Sequence, residues 1–249
     1  MKKIKGAVTF VVVLSGLAFL FGPEIFPENS QLVAFSEDPF PEEVVIIFNS
    51  GGWGNTPLDK ANDFNHIIRG IQETLGNWGR DSLVIPYRRA GNGFWGKITA
   101  SKETLRSFQS QSAKLAKEIE RFLLSNPDKT IVMAGLSNGA AFEESTMEKI
   151  SEEMRSRVLT IEAGIPFWEE KKVDAENVLR LDNHGRDFLA GGQVKDLLFA
   201  LIRAPGKWLL AKVAGESLPL ARSFQAKGHR YSWDEVGPEV SSFLENRLK

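Results

Sequence analysis

The fold of this protein is decided by the stretch Thr130-Ile131-Val132-Met133-Ala134-Gly135-Leu136-Ser137-Asn138-Gly139-Ala140. Its first half is an apolar, β-branched run that is typical of a strand buried on both faces of a parallel sheet. Its second half places Ser137 between two glycines, and a helix is predicted to follow. Such a turn brings backbone segments close together, exposes the serine at the sheet edge and puts it beside a helix N-terminus that stabilises negative charge. Ser137 is therefore the candidate nucleophile; the alternative is a serine that only caps a glycine-rich helix start.

Strand and helix patterns alternate on both sides of this stretch. Strands are predicted at 44–48, 82–86, 130–134, 158–161, 177–181 and 218–225, and helices at 61–75, 104–124, 142–155, 194–213 and 238–248. Glycine-rich loops follow the first two strands, at 49–54 and 91–96. The alternation predicts an α/β fold in which a mostly parallel central sheet is flanked by helices. In such a sheet, the functional site lies at the carboxyl ends of the strands.

The composition excludes several classes of chemistry. The 249 residues include no cysteine, which rules out disulfides, thiolate nucleophiles and cysteine-bound metals. The formal net charge is −1, so there is no electrostatic drive toward nucleic acid. The chain contains only three histidines, which leaves few candidates for a catalytic base.

The N-terminus has the composition of a targeting segment. Lys2, Lys3 and Lys5 precede an uncharged apolar run at 6–21. Residues 1–26 are predicted to be either a cleaved signal peptide or an uncleaved membrane anchor, and the sequence leaves both open. Residues 27–42 are predicted to be a linker, and residues 43–249 are predicted to form a single domain. Either reading of the N-terminus places this domain outside the cytoplasm, in the periplasm or the extracellular space. The protein would then be either secreted or associated with a membrane through its N-terminus.

A serine nucleophile needs a base, and the base needs an orienting acid. His229 follows the last predicted strand and is the histidine placed for that role, whereas His66 lies inside a predicted helix and is expected to be structural. His184 follows the strand at 177–181, where it is expected to line the site or support the acid. Asp187, in the loop beyond that strand, is the preferred acid, and Asp182, at the strand end, is the alternative.

These features together resemble the α/β-hydrolase superfamily, in particular its serine esterases and lipases. The resemblance rests on the motif Gly135 to Gly139, the turn Gly51-Gly52-Trp53-Gly54, the stretch His184-Gly185-Arg186-Asp187 and the pair Gly228-His229. It implies that Ser137, Asp187 and His229 are nucleophile, acid and base, and that the backbone amides of Trp53 and Asn138 form an oxyanion hole. It implies no metal or organic cofactor. The short connection between the strands at 158–161 and 177–181 implies a minimal core without a cap domain.

The expected activity is hydrolysis of a carboxylic ester through an acyl-enzyme, with a small-molecule or lipid-like ester as substrate. Aromatic residues near the strand ends are candidates for an apolar acyl-binding wall: Trp53, Phe94, Trp95, Phe167, Trp168 and Phe188. The segment 194–220 mixes large apolar and basic residues, which suits either a helix packed on the sheet or contact with a membrane surface. A peptidase or acyltransferase on the same fold, or a binding protein without catalysis, is the alternative function, and the sequence leaves the oligomeric state open.

Overall fold

Five parallel strands form the central sheet of the computed structural model, which describes residues 41–169, 173, 176–192 and 228–249 together with Phe26 and Leu32. The strands are β1 (Val44–Asn49), β2 (Ser82–Tyr87), β3 (Thr130–Leu136), β4 (Val158–Ala163) and β5 (Val178–Leu181). Their spatial order is β2-β1-β3-β4-β5. The chain runs outward from β1 to β2 and then returns to β3 on the other side of β1. The carboxyl ends of β1 and β3 are therefore the topological switch point, where α/β sheets place their sites.

Alternating side chains of the buried strands feed two separate hydrophobic clusters. In β1, Val45 and Ile47 point into one cluster, whereas Val44, Ile46 and Phe48 point into the other. All six residues of β1 are buried, which is why the first five are apolar without alternation; only the last, Asn49, is polar. The sheet is thus the middle of three layers and has helices on both faces.

The helices are α1 (Asn65–Asn77), α2 (Gly93–Leu105), α3 (Gln109–Ser125), α4 (Asn138–Met147), α5 (Glu152–Arg155) and α6 (Trp233–Leu248), with a short 3-10 helix at Leu58–Lys60. α1 and α6 contribute buried residues to one cluster, and α3 and α4 contribute to the other. β4 ends at Ala163 and β5 begins at Val178, a connection too short for a cap domain. The predicted α/β-hydrolase fold is confirmed, and the residues that the structure describes form a core without a cap domain.

The helix predicted at 104–124 corresponds to α3, but its predicted start is wrong, because residues 104 and 105 are the end of a separate helix, α2. α2 begins at Gly93, inside the predicted loop 91–96, and the chain reverses between α2 and α3. Ser107 and Phe108 have φ angles of 48° and 58° at that reversal. Phe108 is only 2% exposed and packs edge-to-face on Phe142, so burial of its ring holds a backbone conformation that local sequence disfavours.

Three other helices also differ from the prediction in their bounds. α1 spans Asn65–Asn77 rather than 61–75. The helix predicted at 142–155 starts directly after Ser137 and divides into α4 and α5. The last helix begins at Trp233 rather than at residue 238, so Pro238 lies within it. Because proline has no amide hydrogen, Pro238 leaves one helical carbonyl without its usual donor.

Several predicted segments lie outside the described residues. They are the helix at 194–213, the strand at 218–225 and the targeting segment except Phe26. Within the predicted linker, Leu32 is fully buried in the cluster that includes Val45 and Ile47. Across the described ranges, no helix is both long enough and apolar enough to cross a membrane.

We expect Gly139→Ala to destabilise the domain, because a Cβ at Gly139 would lie 2.2 Å from the backbone oxygen of Asn49. Separating α4 from the end of β1 should reduce the free energy of unfolding by about 1 to 3 kcal/mol or more, measured by urea denaturation. Gly76→Ala is the matched control, since Gly76 is exposed in α1 and a Cβ there has no neighbour within 4 Å. That change should leave stability equal or raise it by up to about 1 kcal/mol. Equal stability of the two variants would contradict the expectation.

Candidate active site

Ser137 occupies a strained turn between β3 and α4. Its φ and ψ angles are 55° and −119°, a region that non-glycine residues rarely adopt. The amide of Ser137 donates to the carbonyl of Ala163 at 2.8 Å, and its carbonyl accepts from Ala141 at 3.0 Å. Gly135 is needed because a Cβ there would lie 2.7 Å from the backbone carbon of Gly139. This sharp strand-to-helix turn has the geometry that the sequence motif predicts.

The glycine turn after β1, residues 50–54, packs directly against the strained turn at Ser137. A Cβ on Gly51 would lie 3.2 Å from the carbonyl oxygen of Leu136 and 3.8 Å from Cβ of Ser137. The side-chain amide of Asn138 donates to the carbonyl of Gly52 at 3.2 Å. The turn and the candidate nucleophile are therefore neighbours at the switch point.

The two predicted oxyanion-hole donors are in this region. Asn138 is the first residue of α4, and Trp53 lies in the turn that the Gly54 amide closes on the Gly51 carbonyl at 3.2 Å. Among the described residues, neither the Trp53 amide nor the Asn138 amide has an acceptor. The Trp53 ring is 44% exposed and lies under Nζ of Lys97, which is 4.7 Å from the ring centre. Within this part of the chain, both amides can still donate to a further acceptor.

His229 and Asp187 form a hydrogen-bonded pair. Nδ1 of His229 donates to Oδ2 of Asp187 at 2.8 Å, and the Asp187 side chain is fully buried. The other carboxylate oxygen, Oδ1, accepts from the amides of Leu189 at 2.9 Å and Ala190 at 3.3 Å. With the proton on Nδ1, Nε2 of a neutral imidazole can accept a proton. The pair has the arrangement of an acid that orients a base.

Tyr231 is a further member of this group that the sequence did not reveal. Its hydroxyl donates to Oδ2 of Asp187 at 2.6 Å and also lies 3.1 Å from the carbonyl oxygen of Leu181. Burial alone would raise the pKa of Asp187, but hydrogen bonds from His229 and Tyr231 hold it below its ordinary value. Burial and the adjacent Asp187 carboxylate raise the pKa of Tyr231 well above its ordinary range, so the hydroxyl remains a donor.

The alternative acid and the other two histidines have different positions. Asp182 is exposed, and its carboxylate accepts from the Gly185 amide at 3.0 Å, so it caps the turn after β5. His184 is exposed in the same turn. His66 lies in α1, with Nε2 at 2.6 Å from the carbonyl oxygen of Tyr231, and thereby supports the segment that carries His229. Of the two candidate aspartates, the structure brings Asp187 to His229.

Gly164 connects the strained turn to the acid–base pair. It follows Ala163, whose carbonyl binds the Ser137 amide, and has a φ angle of 61°. A Cβ on Gly164 would lie 2.7 Å from both Oδ2 of Asp187 and Cε1 of His229. The pair therefore packs against the backbone that leaves β4, at the same sheet edge as Ser137. The sequence signal that could have revealed this contact is Gly164 itself, a glycine directly after a buried strand.

Buried ionisable residues lie beneath the strained turn and the glycine turn. Glu143 in α4 has no exposed surface, and its carboxyl oxygen accepts from the side-chain amide of Asn49 at 2.7 Å. Burial raises the pKa of Glu143 well above its ordinary value, despite that hydrogen bond. Arg89, after β2, is 4% exposed and donates to the carbonyl of Ser50 at 2.5 Å. The only sequence signal for a buried Glu143 was its position in the helix after the central strand. That helix is buried from Gly139 to Met147.

Exposed aromatic side chains surround this edge of the sheet. They follow β1, β2 and β4 and form two edge-to-face pairs, Phe94 with Trp95 and Phe167 with Trp168. The exposed fractions are 44% for Trp53, 60% for Phe94, 38% for Trp95, 41% for Phe167 and 54% for Trp168. Phe188, also predicted for this wall, is half-buried. Exposed large aromatic groups are typical of surfaces that bind apolar partners.

The three-layer parallel fold with a sharp serine turn at its switch point has the architecture of the α/β-hydrolase fold. No protein-family model matches the chain, and no curated protein matches it. Among solved structures, it is similar to a Trichoderma reesei cutinase in complex with a C11Y4 phosphonate inhibitor, with 18% identity, coverage of 67% of this chain and 68% of the cutinase, and a TM-score of 0.45. A cutinase-like protein from Cryptococcus sp. is 14% identical, over 56% of this chain and 75% of that protein, with a TM-score of 0.40. An acetylxylan esterase is 10% identical, over 84% and 99%, with a TM-score of 0.45.

Tyr231→Phe should destabilise the protein in a pH-dependent way. Losing a donor to the ionised Asp187 carboxylate should reduce the free energy of unfolding by about 1.5 to 3 kcal/mol near neutral pH. The lowered pKa of Asp187 stabilises the fold only while the carboxylate is ionised. The difference between variant and parent should therefore be full above about pH 5 and shrink as the pH falls through the lowered pKa. Urea denaturation across that range measures it, and a difference that is constant with pH would contradict the prediction.

Proposed function

We propose that the protein is a carboxylic ester hydrolase in which Ser137 is the nucleophile, His229 the base and Asp187 the acid. One observation carries the proposal: a strained serine turn and a buried Asp187–His229 pair lie at the same edge of one parallel sheet, on either side of Gly164. Strain at Ser137 and burial of the Asp187 carboxylate are both unfavourable on their own. Their occurrence together supports a catalytic role.

The proposed reaction begins with proton transfer from Ser137 to Nε2 of His229. The serine oxygen bonds to the ester carbonyl carbon, and the imidazolium is stabilised by the Asp187 carboxylate. The carbonyl oxygen becomes an oxyanion that accepts hydrogen bonds from the backbone amides of Asn138 and Trp53. Each such donor typically contributes a few kcal/mol to the transition state.

The tetrahedral intermediate collapses when the alcohol leaves with the proton that His229 returns to it. The resulting acyl group remains bonded to the oxygen of Ser137. Water then donates a proton to His229 and attacks the acyl carbon, and the second tetrahedral intermediate releases the carboxylic acid and restores the serine hydroxyl. Each step uses side chains and backbone amides of this chain together with water.

The exposed aromatic side chains around the site favour an ester with an apolar acyl group, including lipid-like esters. Trp53 and Phe167 lie in the loops after β1 and β4, Phe94 lies in the first turn of α2 after β2, and each is at least two fifths exposed. An apolar acyl chain that covered these rings would remove apolar surface from water. Each Å² of apolar surface buried in this way stabilises the complex by about 25 cal/mol. The basic and apolar N-terminal segment supports action outside the cytoplasm, by a secreted or membrane-anchored protein.

A fluorophosphonate probe should label the protein, and Ser137→Ala should abolish the labelling. The same variant should reduce hydrolysis of p-nitrophenyl esters by roughly 10⁴-fold or more, because it removes the nucleophile. His229→Ala should cause a loss of similar size. Ser110→Ala is the control, since Ser110 is exposed in α3, and should keep both properties. Labelling that persists in Ser137→Ala would sink the assignment, and a parent that neither labels nor hydrolyses esters would favour a binding protein.

The two candidate acids provide a matched pair of variants. Asp187→Asn should reduce kcat for ester hydrolysis by roughly 10³- to 10⁴-fold, since the orienting carboxylate is lost. Asp182→Asn removes only the exposed cap on the Gly185 amide and should stay within about threefold of the parent. Steady-state kinetics on one ester measures both, and the reverse ranking would identify Asp182 as the acid. Peptide anilides and added alcohols in the same assay distinguish peptidase and acyltransferase activity from ester hydrolysis.

A further inference from the structure

Arg89 is a buried arginine that contacts the glycine turn from below. Its side chain donates through Nη2 to the carbonyl of Ser50 at 2.5 Å, and its backbone amide donates to the carbonyl of Gly54 at 2.8 Å. Ser50 and Gly54 are the two ends of the turn that contains Trp53. Arg89 thus contacts the turn through its side chain and through its backbone, although it is only 4% exposed.

The shape of the turn also depends on the guanidinium group. Gly54 has a φ angle of 72°, and a Cβ there would lie 2.4 Å from Nε of Arg89. The guanidinium therefore occupies the space beside Gly54. The aromatic rings of Phe108 and Phe142 lie 5.2 and 5.4 Å from its central carbon. A planar group packed on two rings has little freedom to change rotamer.

The arginine keeps its charge in this buried position. Burial lowers the pKa of Arg89 to about 10, with the neighbouring Glu143 opposing that shift, so the side chain remains protonated at neutral pH. Burying a charge is unfavourable unless it is well partnered. A neutral apolar side chain would fill the same space without that penalty. An apolar residue, however, could not donate the hydrogen bond to the carbonyl of Ser50.

We propose that Arg89 is a positioning residue that holds the turn Ser50 to Gly54 in the conformation that directs the Trp53 amide toward the reacting carbonyl. The catalytic part of this inference rests on the proposed ester hydrolysis. The structural part, that Arg89 holds the turn, stands on its contacts alone. Arg89 itself touches no substrate and acts through the backbone of the turn.

The kinetic test compares Arg89→Met and Arg89→Lys with the parent, using p-nitrophenyl esters and active-site titration. Arg89→Met should reduce kcat per titrated site by roughly 10- to 100-fold and leave KM within about threefold, because oxyanion donors act mainly in the transition state. Affinity for an alkylboronic acid, which forms a tetrahedral adduct with a serine nucleophile, should fall by a similar factor. Arg89→Lys should recover part of kcat, since it keeps one charged donor but not the planar fork.

Arg157 provides the matched control. Its guanidinium also donates to backbone carbonyls, those of Lys129 at 3.2 Å and Leu123 at 3.0 Å. These contacts lie at the amino ends of the strands, away from the candidate site. Arg157→Met should lower thermal stability and leave kcat per titrated site unchanged. If Arg157→Met reduces kcat per titrated site as much as Arg89→Met does, the effect is general destabilisation and the proposal is overturned.

Hydrogen exchange tests the inference without relying on catalysis. In Arg89→Met, the Gly54 amide, which donates to Gly51, should exchange at least about tenfold faster, whereas amides in the centre of β3 should keep their parent rates. Unchanged exchange at Gly54 would overturn the proposal even if the parent hydrolyses esters. Faster exchange with unchanged kcat per site in an active parent would overturn it as well. A parent that hydrolyses no ester refutes the proposed function, and faster exchange would then still support Arg89 as the residue that holds the turn.

Discussion

The architecture of the site depends on the strained backbone at Ser137. A residue with a φ angle of 55° and a ψ angle of −119° persists only where its surroundings leave no other conformation. Here, β3 supplies the preceding residues and α4 the following ones, and Gly139 packs so closely on Asn49 that a side chain would collide with its carbonyl. The close contact between α4 and the end of β1 therefore holds the strain, and it also brings the glycine turn after β1 to the serine.

Buried polar groups extend this constraint beneath the surface. Asn49, at the end of β1, donates to Glu143 in α4, while Arg89 binds the carbonyl of Ser50. These contacts join the end of β1, the helix after Ser137 and the segment after β2. Buried charges of this kind contribute little net stability compared with apolar packing. They instead fix the orientation of the turn, because directional hydrogen bonds are compatible with one orientation, whereas apolar contacts are compatible with several.

The local sequence predicted the five described strands and the sharp turn at Ser137, because both depend on neighbouring residues. Continuous apolar runs need a sheet buried on both faces, and a serine between glycines after such a run needs a sharp turn. The break between α2 and α3 could not be predicted, since Phe108 adopts a left-handed conformation only because its ring is buried against Phe142, a contact between residues distant in sequence. The same holds for Tyr231, whose hydroxyl meets Asp187 only in the folded chain.

The position of His229 follows from contacts made by its neighbours. The side-chain amide of Asn183 donates to the carbonyl of Gly228 at 2.9 Å, and His66 lies 2.6 Å from the carbonyl of Tyr231, so the backbone is held on both sides of His229. The imidazole itself has Asp187 on Nδ1. Because Asp187 also receives the Tyr231 hydroxyl and two backbone amides, its carboxylate has one stable orientation. A histidine that is fixed through a buried carboxylate needs no regular secondary structure of its own, so a loop histidine can hold the orientation that the proposed role as base requires.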